Sequence, residues 1–344
     1  MQSKVKFIIA ANSQIPVYKQ IITCVNQAVR IGEIKKGDFL PSMNELADYL
    51  NISKETVKKA YLFLRKEGII ESAQGKGFYV NQKNDKMKVL LLFDKLSTYK
   101  QVLYSSFAGN IPENTEISIR LHNQDLLLFE SFIDENIDKF DYYIVTPHFS
   151  LSEDVQKRVI KALKKIPNRK LLVLDRYIDK LPGNYGSVYQ DFEEDVYEGL
   201  TQGLADIKKF SKFNIISMPG SLYAPLIEAG VKRFCDNNGL VFEIHKDISP
   251  EKIRKNELFL ILNSQLDSEL IQLIKIAKSK GCRIGEDVGI ISYNESPINE
   301  IILDGLTVLS TDFMQMGKIA AEMISTKNFR KTKCNFQLIR RQTF

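Results

Sequence analysis

Two groups of residues in this chain have the types and spacing to do chemistry. The first is cationic and short-polar: Ser42, Asn44, Lys54, Glu55, Thr56, Lys58 and Lys59, followed by Gly75-Lys76-Gly77. Ammonium groups beside small hydroxyls and amides suit phosphates and base edges. Two glycines around one lysine let a backbone approach a phosphate while the lysine supplies the charge. The second group follows runs of apolar residues: Phe93-Asp94, Thr146-Pro147, Asp175-Arg176, Pro219-Gly220, Asn263-Ser264 and Tyr293-Asn294-Glu295. Carboxylates and amides pair with adjacent hydroxyls, an arginine gives a planar donor fork, and aromatic rings cover the apolar face of a sugar. Polyol recognition suits that inventory, although a single polar residue at a strand end is more often just a loop starter.

Other chemistries find little support. Cys24, Cys235, Cys282 and Cys334 stand singly with no CxxC pair, so neither a zinc site nor a disulfide framework is signalled. His122, His148 and His245 are dispersed without base or metal spacing, and no lysine has a convincing Schiff-base context. No catalytic residue, metal or cofactor is therefore expected. Residues 1–88 hold 15 Lys/Arg against 8 Asp/Glu, and the remainder 33 against 34. That asymmetry points to a polyanion partner for the first quarter alone. The apolar run Phe7 to Ala11 is short of the roughly 7–15 residues of a signal-peptide core. No run approaches the ~20 needed to cross a bilayer, so a cytoplasmic, unprocessed protein is the expectation.

The elements that must position the first group are legible. Val17, Ile21, Ile22, Val25, Ala28 and Val29 recur at helical spacing before Gly32, giving a helix near 16–31. "SMNEL" at 42–46 has capping-box form and opens a helix over roughly 42–50. Ser53 is a good N-cap for the next, with Val57, Ala60, Tyr61 and Leu64 on its inner face and the lysines of its first turns outward. "GIIESAQGKGFYV" reads as a β-hairpin turning at Gly-Lys-Gly. A lysine-bearing helix alone is usually a solvated face. In this order, however, the elements describe a winged helix-turn-helix.

The stretch "IPVYKQI…IGEIKKGDFLPSMNELADYLNISKETVKKAYLFLRKEGIIESAQGKGFYV" resembles the DNA-binding domain of the GntR family over about 65 residues. The resemblance implies a double-stranded DNA operator as partner. That family typically has arginine at the place of Asn44, and often at those of Lys54 and Lys58. Arginine grips guanine or phosphate with a bidentate fork, whereas asparagine suits adenine and lysine is a point charge. An operator differing from the family's common ones is the consequence.

After the polar stretch 81–87, strand-like runs (88–93, 142–146, 170–175, 213–218, 257–262, 287–293) alternate with helical patterns such as 152–167, 192–207, 222–239 and 267–281. Near-continuous apolar strands separated by helices argue for an α/β fold with parallel sheets covered on both faces, in two layers. Ligands in such sheets sit outside the carboxyl ends of the strands. "LVLDRYID", "LILNSQLDSELIQLIKIAKSKGCRIGEDVGIISYNE" and "LTVLSTDFMQMGKIAAEMI" resemble the sugar-sensing domain of the LacI/GalR family and its periplasmic sugar-binding relatives over about 88–344.

By that resemblance Asp175, Arg176, Asn263, Asn294 and Phe313 fall on sugar-contacting positions, and Tyr99 on a front-lobe position that often is one. Asp94, Tyr223 and Glu295 complete the candidate ligand set. The chain departs at Ile227, where the family usually has arginine, at Ser264, where aspartate often stands, and at Asn294 itself, expected as aspartate. Fewer charged clamps favour a deoxysugar such as fucose or a pentose such as arabinose.

The resemblance implies a winged helix-turn-helix at 1–80, a linker at 81–87 and a doubly wound, periplasmic-binding-protein-like effector domain at 88–344. One lobe is expected near 88–189 with 312–328, the other near 190–311 with 329–344. A homodimeric, non-enzymatic repressor of carbohydrate-use genes reading a palindrome is the leading expectation. A pyridoxal-phosphate aminotransferase-like fusion and a sugar-transport binding protein are the alternatives.

Overall fold

The computed structural model describes residues 5–10, 13, 15–81, 86–217, 221–262 and 268–344. The chain divides into two units, Met1–Lys86 and Met87–Phe344.

In the first unit α1 (Val17–Arg30), α2 (Met43–Leu50) and α3 (Lys54–Lys66) precede a hairpin of β1 (Ile70–Ala73) and β2 (Gly77–Val80). The amphipathic spacing has its physical outcome in one core. Ile21 and Val25 of α1, Leu46 and Ala47 of α2, and Val57, Ala60, Tyr61 and Leu64 of α3 are all buried with Ile70 and Val80 of the hairpin. Ser42 forms the capping box: its Oγ accepts from the Glu45 amide at 3.2 Å, and its own amide donates to Glu45 Oε2 at 2.7 Å. Ser53 Oγ accepts from the Thr56 amide at 3.2 Å and so starts α3.

The second unit continues with β3 (Met87–Phe93), α4 (Thr98–Asn110), β4 (Thr115–Leu121), α5 (Leu126–Asn136), β5 (Tyr142–Val145), α6 (Glu153–Leu163), β6 (Leu171–Arg176) and β7 (Gly186–Gln190). Next come α7 (Phe192–Gln202), α8 (Leu204–Ile207), β8 (Lys212–Ile216), α9 (Ala224–Asn238), β9 (Phe242–His245), β10 (Glu257–Ile261), α10 (Ser268–Ser279) and β11 (Val288–Tyr293). The chain closes with β12 (Thr307–Thr311), α11 (Phe313–Thr326), β13 (Lys331–Lys333) and β14 (Phe336–Ile339).

The strands form two six-stranded sheets, ordered β13-β7-β6-β5-β3-β4 and β14-β12-β11-β10-β8-β9. All pairings in them are parallel except β12 with β14. Continuous apolar strands follow because each sheet is covered on both faces. Val89, Leu91 and Phe93 of β3 enter one core while Leu90 and Leu92 enter another, and β10 divides Leu258 and Leu260 from Phe259 and Ile261 in the same way.

Two expected boundaries shift. The segment 329–344 does not lie wholly in the second lobe, because β13 pairs with β7 and carries the chain back into the first sheet before β14 joins β12. The helix expected over 192–207 is broken at Gly203, where an added Cβ would meet Leu338 and Phe344. The chain therefore passes between lobes after β7, after β12 and after β13. Among the described residues no helix is long and apolar enough to cross a membrane.

Candidate functional site

In the first unit the candidate DNA-contacting side chains lie at element ends. Ser42 and Asn44 open α2; both are exposed. Lys54, Glu55, Lys58 and Lys59 are exposed on α3, and Thr56 is half-buried with its hydroxyl 2.8 Å from Ser53 Oγ. Lys58 pairs with Glu55 at 3.4 Å, and the Lys59 ammonium lies 4.3 Å from the centre of the Tyr18 ring on α1. These two cations are thus partly engaged by the protein, while Lys54 sits at the helix start, where the peptide dipole is positive.

Lys76 stands at the hairpin tip between Gly75 (φ +75) and Gly77 (φ +97), both with open space where a Cβ would be. Left-handed backbone is what requires glycine there. The hairpin is fixed to α3 by the Tyr61–Phe78 edge contact at 5.1 Å, and Tyr61 donates to the Pro41 carbonyl at 2.8 Å.

In the second unit the first lobe gathers a buried polar cluster at the carboxyl ends of its strands. Asp94 follows β3, His148 lies just past β5, and Asp175 is the penultimate residue of β6. Lys100, in the first turn of α4, contacts Asp94 Oδ1 and lies 4.0 Å from Asp175 Oδ2. Thr146 Oγ1 donates to Asp94 Oδ1 at 3.2 Å, and Tyr99 donates to Asp175 Oδ2 at 3.4 Å. His148 Nε2 lies 3.0 Å from Asp175 Oδ2, at ion-pair distance but off the hydrogen-bond direction. Gln190 Nε2 donates to Asp175 Oδ1, and Gln190 Oε1 accepts from Thr311 of β12 at 2.9 Å, tying the two sheets together.

Burial and neighbours set the charges. Burial alone would raise the Asp175 carboxyl, but His148, Lys100 and Gln190 hold it down at about 2. Burial pushes His148 down to about 4, with Lys100 adding to the effect, so its imidazole is neutral. Burial also lowers Lys100 to about 8, opposed by Asp175.

Above this cluster is an aromatic surface. Tyr223, at the start of α9 in the second lobe, stacks on Phe192 (4.4 Å, 15°) and meets the His148 ring edge-on at 5.0 Å. The Arg176 guanidinium lies 5.8 Å from the Tyr223 ring, and Tyr99 packs against Phe313 at 4.4 Å. Arg176 Nη1, Tyr223 Oη, Tyr293 Oη and Asn294 Oδ1 are buried with no hydrogen-bond partner. Buried polar atoms are nearly always satisfied, so each of these four keeps hydrogen-bonding capacity for a further partner. Asp175 (φ +70) and Asn294 (φ +71) are both left-handed without being glycine, the kind of backbone strain that clusters at ligand sites.

The structure thus brings together Asp94, Tyr99, Asp175, Arg176, Tyr223 and Phe313. Asn294 directly follows β11 in the second lobe. Glu295 is held elsewhere, its carboxylate paired with Arg341 at 2.9 Å. Asn263, Ser264, Pro219 and Gly220 lie outside the described residues. Ile227 is buried in the second lobe's core. Lys100, His148 and Gln190 were not marked by any sequence pattern; the only signal was the strand end at Thr146-Pro147, one residue short of His148. Among the described residues no group of three or more His, Cys, Asp or Glu could hold a metal ion.

Residues 17–80 match the family model of bacterial regulatory proteins of the gntR family. The HTH-type transcriptional repressor YtrA of Bacillus subtilis is 38% identical over 91 residues, which are 26% of this chain and 68% of that protein. The chain belongs to the GntR family.

Membership makes it a DNA-binding transcription regulator. The mannosyl-D-glycerate transport/metabolism system repressor MngR of Escherichia coli is 37% identical over 67 residues, only 28% of its own length and 20% of this chain. Residues 224–334 match a periplasmic binding protein-like domain. The Lac repressor bound to ONPG superposes with a TM-score of 0.60 at 15% identity, covering 85% of this chain and 90% of that one. That likeness establishes a LacI-like, periplasmic-binding-protein-like fold for the second unit's architecture.

Proposed function

We propose that this GntR-family regulator is a repressor of carbohydrate-use genes, released from or recruited to its operator by a small sugar held between the lobes of the second unit. The observation that carries the reading is the set of four buried, unpartnered polar atoms: those of Arg176 and Tyr223, whose ring stacks on Phe192, and those of Tyr293 and Asn294 at the carboxyl end of β11. A deoxysugar such as fucose or a pentose such as arabinose suits a site in which Ile227 and Asn294 stand where charged clamps are the family's habit.

Sugar would close the lobes by a hinge at the three strand crossovers, changing the relation of two protomers in a homodimer and of their DNA-binding heads on a palindromic operator. The protein would act in the cytoplasm, where its operator is, and no enzymatic step is assigned to it. Ser42, Asn44, Lys54, Glu55, Thr56, Lys58, Lys59 and the Gly75-Lys76-Gly77 tip would form the DNA-contacting surface.

A thermal-shift screen with monosaccharides and their phosphates tests the sensor. A ligand at about 100 times its dissociation constant adds about 2.7 kcal/mol. A stabilising sugar that also changes operator binding supports the reading, and no shift with any sugar defeats it.

A further inference from the structure

Beneath the aromatic surface, Lys100 serves two carboxylates at once. It contacts Asp94 and lies 4.0 Å from Asp175, with all three side chains at most 1% exposed. Two buried carboxylates so close would ordinarily force one to keep its proton and become a hydroxyl donor. Here His148, Lys100 and Gln190 together hold Asp175 ionised, and the same Lys100 ammonium also contacts Asp94. Neither is fully used by the protein: among the described residues no hydrogen bond reaches Asp94 Oδ2, which lies 3.8 Å from His148 Nδ1, and His148 Nε2 is off-line to Asp175 Oδ2. Acceptor lone pairs therefore remain on both.

Among the described residues near this place the charges pair off, the buried Asp195 being matched by Lys333 at 2.8 Å. Lys100 and Arg176 oppose Asp94 and Asp175, and His148 is neutral. Two further pairs near the strand ends of the second lobe, Lys246 with Glu228 at 2.8 Å and Arg341 with Glu295 at 2.9 Å, are closed on themselves. A ligand bringing its own carboxylate or phosphate would bury a charge without a counter-ion, whereas an uncharged one leaves the balance intact.

We propose that the cleft takes an uncharged monosaccharide, and that Lys100 is the positioning residue that fixes this class by presenting Asp94 and Asp175 together as acceptors for neighbouring hydroxyls. The inference rests on the reading of the cleft as a sugar site and goes beyond it by naming Lys100 and the charge of the ligand.

Among the described residues, the groups facing the ammonium are Asp94 just after β3, Asp175 and Arg176 from β6, His122 and His148 from the turns after β4 and β5, and Tyr99 on its own helix. His122 and His148 titrate near 4 and Tyr99 well above its usual range, so Lys100 is the group among them that changes charge on the alkaline side, near 8.

The test is calorimetric binding of neutral monosaccharides, their uronates and their 6-phosphates to the full chain. The neutral sugar should bind at least about tenfold more tightly than its charged counterparts. Lys100→Met should lose about a hundredfold in affinity and Lys100→Arg about tenfold or less. Wild-type affinity should fall between about pH 7 and pH 9.5, while K100R stays flat because arginine keeps its proton. That difference in pH profile is one that a packing role for Lys100 would not produce.

Operator binding and unliganded melting of each variant report folding. If K100M does not fold, the charge preference and the pH profiles of wild type and K100R decide alone. A uronate or phosphate binding more tightly than every neutral sugar overturns the proposal, as does a folded K100M that binds as wild type. Failure of every sugar, charged or not, to bind a chain that still binds operator removes the sugar reading itself and this inference with it.

Discussion

His122 shows how one side chain ties burial to pH. Its Nδ1 accepts from the Gln124 amide at 3.2 Å, so the proton sits on Nε2, which donates to the Thr146 carbonyl at 3.1 Å. Phe149 stacks on the ring at 4.6 Å, and burial lowers the group to about 4. His148, on the other side of Thr146, is pushed down as far. Unfolded, both would titrate near about 6.5, so as pH falls from there toward about 4 the unfolded chain takes up protons that the folded second unit refuses. Stability present above about pH 6.5 should therefore be lost progressively on the acid side. Melting of the second unit followed across that range should show the fall, and His122→Gln should flatten part of it. An unchanged slope in the variant would contradict the assignment. Asp175, Arg176 and Asn294 were legible because strand-end placement is written in the apolar pattern. Lys100 was not, because a lysine in a mixed polar and aromatic helix looks like any surface residue until tertiary packing sets it against Asp94.

Elements were readable where one physical pattern dominates. The capping box at Ser42 and the N-cap at Ser53 are local chemistry, and both formed at the positions the residues dictate. The apolar central strands were equally plain, whereas the edge strand β4, with half-buried or exposed positions throughout, carries no comparable signal. Packing between helices is subtler. Gly230 of α9 sits so close to α7 that an added Cβ would lie 2.3 Å from the Glu193 carbonyl oxygen and 2.4 Å from Val196. Backbone cannot yield as a flexible side chain does, so Gly230→Ala should force the two helices apart and cost about 1–3 kcal/mol in the second unit. Denaturant unfolding measures it, with the first unit's operator affinity as the control. A neutral effect would mean that α7 and α9 can separate without loss, contrary to the shared core of Val196, Ile227, Val231 and Phe234.

At the scale of the molecule, charge separates the two units as clearly as the fold does. The first 88 residues carry 15 cations against 8 acids, and the rest of the chain is nearly balanced. Binding by such a head should be strongly dependent on salt, because each phosphate neutralised by a lysine releases a condensed counter-ion. Not every lysine contributes alike. Lys58 is paired with Glu55 and Lys59 is held over Tyr18, so the steepest contribution is expected from Lys54 at the start of α3 and Lys76 at the hairpin tip. Lys54→Ala or Lys76→Ala should each weaken operator binding across sequences and reduce the salt slope by about 1. Lys59→Ala, whose ammonium already has an aromatic partner, should change the slope less. Asn44 belongs to a different class of contact, since an amide suits adenine and carries no counter-ion. Asn44→Arg should shift preference toward guanine at one operator position rather than simply alter the slope. Binding isotherms on a mapped operator over a range of salt decide the matter: a wild-type affinity that barely changes with salt, or equal slopes for the Lys54 and Lys59 variants, would show that α3 does not meet the phosphates in this way.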